Sequence, residues 1–412
     1  TIDEREQICD NCGSTMVKAG EEFVRTEVQF IPAKLKVIDH YRETYECRSC
    51  RKNGTPYMEK APVPYPPVLH SLASASTITW LIHQKFELSI PLYRQEKEWE
   101  ALGLRLSRAT MSNWLLVVYR DWLVHIVHRL KLELLKQRYL HIDETHVQVL
   151  KEPGRKNTSD SYMWVYCSIR DAVNPIRYFE YQPGRSGKYP EAFLREYEGY
   201  IHTDAYSGYN AVSGVKRCLC YTHLRRAFVD ALPKDIHNSE ASKPAEAILR
   251  LNQLFNIESE LEALPPDQKK KERLIREKPL LEAFWSWAEK SAIGELPKSK
   301  LSKAFHYALN NREGFWNYLE DGNCSISNSL AENCIRPFVI GRKNWLFSGS
   351  PKGAEASAGI YTLVETAKAN GLAPMKYIKY ILSDMPGSAF LEHPEYLDDY
   401  LPWNPLVKEF CR

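Results

Sequence analysis

Between residues 138 and 232 the chain changes its period, and that change restricts the fold more than any other feature. "RYLHIDETHVQVL" (138–150), "YMWVYCSIRD" (162–171) and "PIRYFEYQPG" (175–184) are rich in β-branched and aromatic residues and are separated by turn-forming segments. That is the pattern of an antiparallel meander. "YPEAFLREYEG" (189–199) has helical spacing, and "YIHTDAY" (200–206) reads as a fourth strand. "KRCLCYTH" (216–223) reads as a fifth, running into the helix "LRRAFVDAL" (224–232). Three antiparallel strands followed by alternating helices and strands predict an RNase H-like mixed sheet.

The flanks differ in character. Residues 233–305 are helical and heavily charged, as an inserted all-helical domain would be, and the core is expected to resume over 306–372 before a tail at 373–412. On the other side, "APVPYPP" (61–67) places four prolines in seven residues. No helix or central strand tolerates this, so 61–69 reads as a stiff linker and a boundary. Residues 70–137 are helical, with Pro91 at one helix start, Gly103 at a break and Ser107 placed to cap the next helix. A helix, a short glycine-containing turn and a second helix fit either a helix-turn-helix or a plain helical hairpin. In the former, Arg108, Thr110 and Asn113 would face base edges. The overall class is a multidomain α+β and α/β chain.

In a chain of 412 residues, 55 basic against 52 acidic side chains give a net charge of +3. Any nucleic-acid surface must therefore be local. Apolar runs such as "WLLVVY" (114–119) are too short to cross a bilayer, and a cytoplasmic protein is expected. Four of the ten cysteines form two C-x2-C pairs, Cys9/Cys12 and Cys47/Cys50. Such paired thiolates suit one tetrahedral zinc, and the alternating spacer "VRTEVQFIPAKLKVIDHYRETYE" (24–46) predicts the strands of a zinc ribbon over 1–60. The remaining cysteines read as core thiols.

Alternate residues of a strand share a face, so His141, Asp143 and Thr145 point one way and Glu144 the other. His202 and Asp204 repeat the arrangement on the fourth strand. If the first and fourth strands are neighbours, Asp143 and Asp204 reach one divalent cation, and oxygen ligands select Mg²⁺ or Mn²⁺. Asn328, Glu332 and Arg336 recur every four residues and share a helical face, from which Glu332 could complete the site with Asn328 as an auxiliary contact. Arg336, Arg342 and Lys343 beside Trp345 suit a nucleic-acid backbone and stacked bases. Two other readings remain at this point. One is a dinuclear phosphoesterase of small substrates using the His141/Asp143 and His202/Asp204 pairs. The other is a catalytically silent DNA-binding regulator.

"IDET" (142–145), "HTDAYSGY" (202–209), "CYTHLRRAF" (220–228) and "NSLAENCIRPFVIGRKNWLFSGS" (328–350) resemble, in order, the signature blocks of bacterial insertion-sequence transposases of family sixty-six, the DDE type. The cysteine-rich start, "PLYRQEKEWEALGLRLSRATMSNW" (91–114) and "LPWN" (401–404) also resemble that family. The resemblance implies a DDE triad of Asp143, Asp204 and Glu332 on two metal ions, with cleavage of transposon ends and joining of the 3′-OH to target DNA. It carries the family's Cys-x-x-His-x-Arg-Arg block onto Cys220, His223, Arg225 and Arg226, with the arginines meeting DNA and His223 auxiliary. Whether Cys220 and His223 hold a metal or simply pack is open. The implied partners are double-stranded DNA, a second copy in a synaptic dimer and accessory proteins of the same element.

Overall fold

The strand that begins at Tyr139 organises the molecule. In the computed structural model, which describes residues 3–31, 33–233 and 242–412, the chain forms two units, 1–40 and 41–412. The larger unit is built on a sheet of β3 (Tyr139–Val149), β4 (Asp160–Ser168), β5 (Arg177–Gln182), β6 (Gly199–Thr203) and β7 (Val215–Leu219). The spatial order is β5-β4-β3-β6-β7. The first three pair antiparallel, as the meander predicts, whereas β6 and β7 run parallel to β3. The two-residue β8 (Phe347–Ser348) pairs with the far end of β3.

β5 is an edge strand whose outward amides need partners. Thr362 and Thr366, on the buried face of the helix Pro351–Ala369, supply them: Phe179 N donates to Thr362 Oγ1 (2.8 Å) and Arg177 N to Thr366 Oγ1 (3.1 Å). That helix also carries Ile360, Tyr361, Leu363 and Val364 into the main apolar core. The helices after the proline-rich segment enter the same core through Ile78, Leu81, Trp99, Met111, Trp114 and Val118. Their local signals behave as the sequence predicts. Pro91 precedes the helix Leu92–Ala101, Gly103 takes φ +90°, and Ser107 Oγ accepts from Thr110 N (3.1 Å) to cap Arg108–Val118.

A second core lies on the β7 side. Helices Lys243–Glu260, Lys278–Ala292 and Lys300–Asn310 bury Leu251, Leu254, Phe284, Trp285 and Phe305 against Leu224 and Phe228. The fully buried Arg273 guanidinium holds it together, binding both Glu258 oxygens (2.5 and 2.8 Å) and the carbonyls of Tyr318, Asp321 and Cys324 (3.1, 3.1 and 2.8 Å). A buried charge is tolerable only when paired and hydrogen-bonded in this way. The helix Lys300–Asn310 runs across the expected segment boundary at 305.

The spacer between the cysteine pairs departs from expectation. Among the described residues, none between 16 and 43 forms a strand; Thr15 makes an isolated antiparallel bridge to Ile8, and Thr44–Glu46 (β1) pairs antiparallel with Met58–Lys60 (β2). Alternation specifies a strand only where one face can be buried, and Phe23, Val24, Val28 and Phe30 all stand exposed. Each cysteine pair nevertheless forms a tight knuckle of its own. Gly13 N donates to the Cys9 carbonyl (2.8 Å) with Gly13 at φ +72°, and Arg51 N to the Cys47 carbonyl (3.0 Å) at the start of the helix Arg48–Lys52.

Candidate active site

The parallel register Tyr139↔Tyr200, Leu140↔Ile201, His141↔His202 aligns the two similar stretches of sequence. Asp143 and Asp204 each lie two residues beyond the histidine pair, Asp143 within β3 and Asp204 just past the end of β6. The two imidazoles stack with centroids 4.1 Å apart and planes 11° from parallel.

The histidines act as a clasp. His141 Nδ1 donates to Asn328 Oδ1 (3.0 Å), while Asn328 Nδ2 donates to the Ile142 carbonyl (2.7 Å) and Asn328 N to Cys220 Sγ (3.1 Å). His202 Nδ1 donates to the Leu140 carbonyl (3.0 Å), and its Nε2 accepts from Ser325 N (2.9 Å). Burial, then the neighbouring His202, pushes His141 well below its ordinary pKa, so the ring is neutral. With both His202 nitrogens engaged, the paired H-x-D metal site loses one of its ligands. What the clasp does instead is pin residues 325–328 to β3 and β6. The Asn328 carbonyl then accepts from Glu332 N (3.3 Å) at the first turn of the helix Ser329–Trp345.

Asp143 is withdrawn from water, and its pKa is pushed up to about 7. Burial is the main cause, the adjacent Glu144 adds to it, and the charges of Asp204 and Glu332 both reach it. Asp143 thus senses two carboxylates from distant parts of the sequence. Sequence reasoning missed their supports. Arg185 pairs with Glu144 (2.6 Å), approaches Asp204 Oδ2 (3.9 Å) and lies over the Tyr206 ring (3.9 Å). The Tyr209 hydroxyl donates to Glu144. Arg217 braces the Asp204 turn through the carbonyls of Asp204 (2.6 Å) and Tyr206 (2.8 Å). No local pattern marks these residues; only the fold brings them together.

Glu332 meets the start of the helix Tyr221–Val229, where Cys220 is the cap residue and His223 lies in the first turn. Ligand atoms of Cys220, His223 and Glu332 lie within 4.8 Å of one another. Burial raises the Cys220 thiol, but hydrogen bonds from His223 and the Asn328 amide bring it below its ordinary value. The thiol in turn raises His223, against burial.

The expected nucleic-acid residues divide in two. Arg226, Arg336, Lys343, Arg108 and Asn113 are exposed. Arg342 donates to Thr145 Oγ1 (3.0 Å) and the His146 carbonyl, and with Lys343, His146, Gln148 and Thr158 it lines a groove of about 500 Å³. Other candidates are engaged within the protein. Arg225 holds Asn252 Oδ1 (2.7 Å), the Thr110 hydroxyl bonds Ser107 (2.9 Å), and Trp345 packs edge-on against Phe338 under the half-buried Lys85 ammonium. Lys85 is pushed down to about 8 by burial alone.

Comparison with known proteins adds two family matches. Residues 70–356 match the family described as "Transposase IS66 family", and residues 6–51, which hold all four paired cysteines, match the "zinc-finger binding domain of transposase IS66". Similar proteins come from Sinorhizobium fredii (strain NBRC 101917 / NGR234). The proteins y4hP, y4jD and y4qI, each described as uncharacterised, are 27%, 26% and 28% identical. The alignments cover 97%, 98% and 97% of this chain and 75%, 79% and 74% of theirs.

Proposed function

Because this chain belongs to the IS66 transposase family and carries its zinc-finger domain, we propose that it binds the ends of a mobile DNA element, cuts them and joins the 3′-OH to target DNA. The sheet is then an RNase H-like core, interrupted by the helices between 243 and 320, and Asp143, Asp204 and Glu332 are its catalytic carboxylates. One observation carries this reading: the β3–β6 register pairs His141 with His202, two residues before Asp143 and Asp204, and the charges of Asp204 and Glu332 both reach Asp143. Carboxylates held near one another repel unless a cation neutralises them, and an all-oxygen donor set fits Mg²⁺ or Mn²⁺. When bound, such cations supply the charge that activates water and stabilises the leaving oxygen.

The chain's own residues position the rest. Arg185 and Arg217 hold the Asp204 turn in place, and the His141–Asn328 clasp sets the first turn of the Glu332 helix. Arg342 and Lys343 receive phosphates in the groove beside β3, with the exposed Arg336 and Arg226 as further phosphate contacts. Arg108 and Asn113 on the helix Arg108–Val118 would read bases as a helix-turn-helix does. In the finger, the donor set fits zinc. The Cys12 thiol is lowered by contacts from Ser14 and Cys9, and that of Cys47 by the Cys50 and Ser49 amides and the Cys50 thiol. Cys9, Cys12, Cys47 and Cys50 would be its ligands. Work on two element ends implies a synaptic dimer, with accessory proteins of the element, in the bacterial cytoplasm.

A labelled duplex carrying an element end, incubated with Mg²⁺, tests the assignment. Asp143→Asn, Asp204→Asn and Glu332→Gln should each lower cleavage by at least a hundredfold while leaving duplex binding within a few-fold of wild type, since loss of electrostatic stabilisation is a 10²–10³ effect (about 3–4 kcal/mol). Cleavage that survives any one of these changes removes that residue from the triad.

A further inference from the structure

Among the described residues, two groups of potential ligands flank the proposed carboxylate site, and they differ in one respect. His202, Cys218 and Cys324 lie within 4.8 Å of one another, but both His202 nitrogens already have partners, so that group is closed. Cys220, His223 and Glu332 are equally close, yet His223 Nδ1 and Glu332 Oε1 are buried atoms without a hydrogen-bond partner, 3.7 Å apart. The two face one another as an ion pair, but at a separation too long for a hydrogen bond, so neither has its hydrogen-bonding capacity met. A cation between them would satisfy both.

The donor set says which cation. One thiolate, one imidazole and one carboxylate are the ligands of a borderline-soft, tetrahedral ion, and three protein ligands with an open fourth position describe a zinc site. Zinc bonds of about 2.0–2.3 Å place ligand atoms roughly 3.3–3.8 Å apart, so closing from within 4.8 Å takes a shift of about 1.5 Å at most. The scaffold is rigid on one side: Cys220 caps a helix, His223 lies in its first turn, and Asn328 N already donates to Cys220 Sγ (3.1 Å), as amides do to bound thiolates.

We propose that Cys220, His223 and Glu332 form a zinc-type site, separate from the N-terminal finger, which draws Glu332 away from Mg²⁺ and so holds cleavage off. Binding expels the Cys220 proton to solvent, and the ion's two charges are balanced by thiolate and carboxylate. The competitive part rests on the reading of Glu332 as a catalytic ligand; the metal site itself does not.

The test is zinc bound per chain, measured by mass spectrometry on the full-length protein dialysed against buffered free zinc. Wild type should hold one zinc more than Cys220→Ser and one more than His223→Gln, with the finger loaded in all three. Two variants at different depths guard against a folding artefact, and circular dichroism checks that each is folded. Equal zinc in all three proteins overturns the proposal. In the Mg²⁺-dependent cleavage assay, zinc should inhibit wild type at a concentration at least tenfold lower than it inhibits Cys220→Ser. Equal inhibition overturns the competition. A zinc difference with no cleavage by any of the proteins would keep the metal site and remove the transposase chemistry beneath it.

Discussion

Asp143 keeps its proton in the folded protein over a range where the unfolded chain has lost it, because its pKa moves from 3.8 to about 7. Burial is the first cause and neighbouring carboxylates the rest. Between roughly pH 4 and 7 the unfolded state therefore binds fewer protons than the folded one, so this group makes stability fall as pH rises through that window and level off above it. Asp143→Asn cannot titrate, and its urea midpoint should decline less than wild type between pH 5 and pH 7. Mg²⁺ favours the ionised carboxylate, so adding it near pH 6.5 should release protons and stabilise wild type but not the variant. Equal pH slopes for the two proteins would exclude Asp143 as the titrating group. The candidate acids could be picked out in the sequence from strand alternation and helical spacing, although Asp143 lies within β3 rather than at a strand end. The histidines beside them suggest ligands by their repetition, but His141 and His202 are taken up by Asn328, Leu140 and Ser325. Those partners lie up to 187 residues away, beyond any local pattern.

At the scale of elements, the sequence signals that agree with the structure are those whose physics is local: the Ser107 cap, Pro91 at a helix start, the break at Gly103. The ribbon strands failed because alternation needs a partner and a buried face. Close helix crossings leave little trace either. Gly359, midway along the helix Pro351–Ala369, meets the ring of Tyr119, and a Cβ there would run into it. Tyr119 begins a π-helical turn, Tyr119–Leu123, that joins the α-helices Arg108–Val118 and Val124–Leu135, and such turns widen a helix locally. Gly359→Ala gains about 1 kcal/mol in helix propensity and loses about 1–3 kcal/mol to overpacking. The expected outcome is a lower urea midpoint than wild type, with Tyr119→Leu relieving part of the loss when the two are combined. Additive effects of the two changes would mean that the residues do not compete for space.

For the whole molecule, the order of strands and helices was readable but the partition of the core was not. Prolines 62–67 suggest that the helices beyond them form a separate body, yet Trp99, Met111 and Trp114 share one apolar core with Ile142, Val165 and Phe179. Burial is a property of faces that meet, and the sequence records only that such faces exist. Charge is different, because it acts through its sum and its placement. A net charge of +3 gives little general attraction for DNA, so binding must come from places such as the groove lined by Arg342 and Lys343. Each phosphate neutralised contributes about 0.9 to the slope of log K against log salt. Lys343 is exposed, so Lys343→Ala should lower that slope by about one with folding stability unchanged. Arg342→Ala should lower it similarly but also cost stability, because Arg342 ties the Ser329–Trp345 helix to Thr145 and His146 on β3. Lys270, exposed on the helix Pro266–Glu272, supplies the comparison: Lys270→Ala removes the same charge and should leave the slope as it was. A slope that drops equally in Lys270→Ala and Lys343→Ala would mean that DNA responds to total charge, and the groove beside β3 would lose its role.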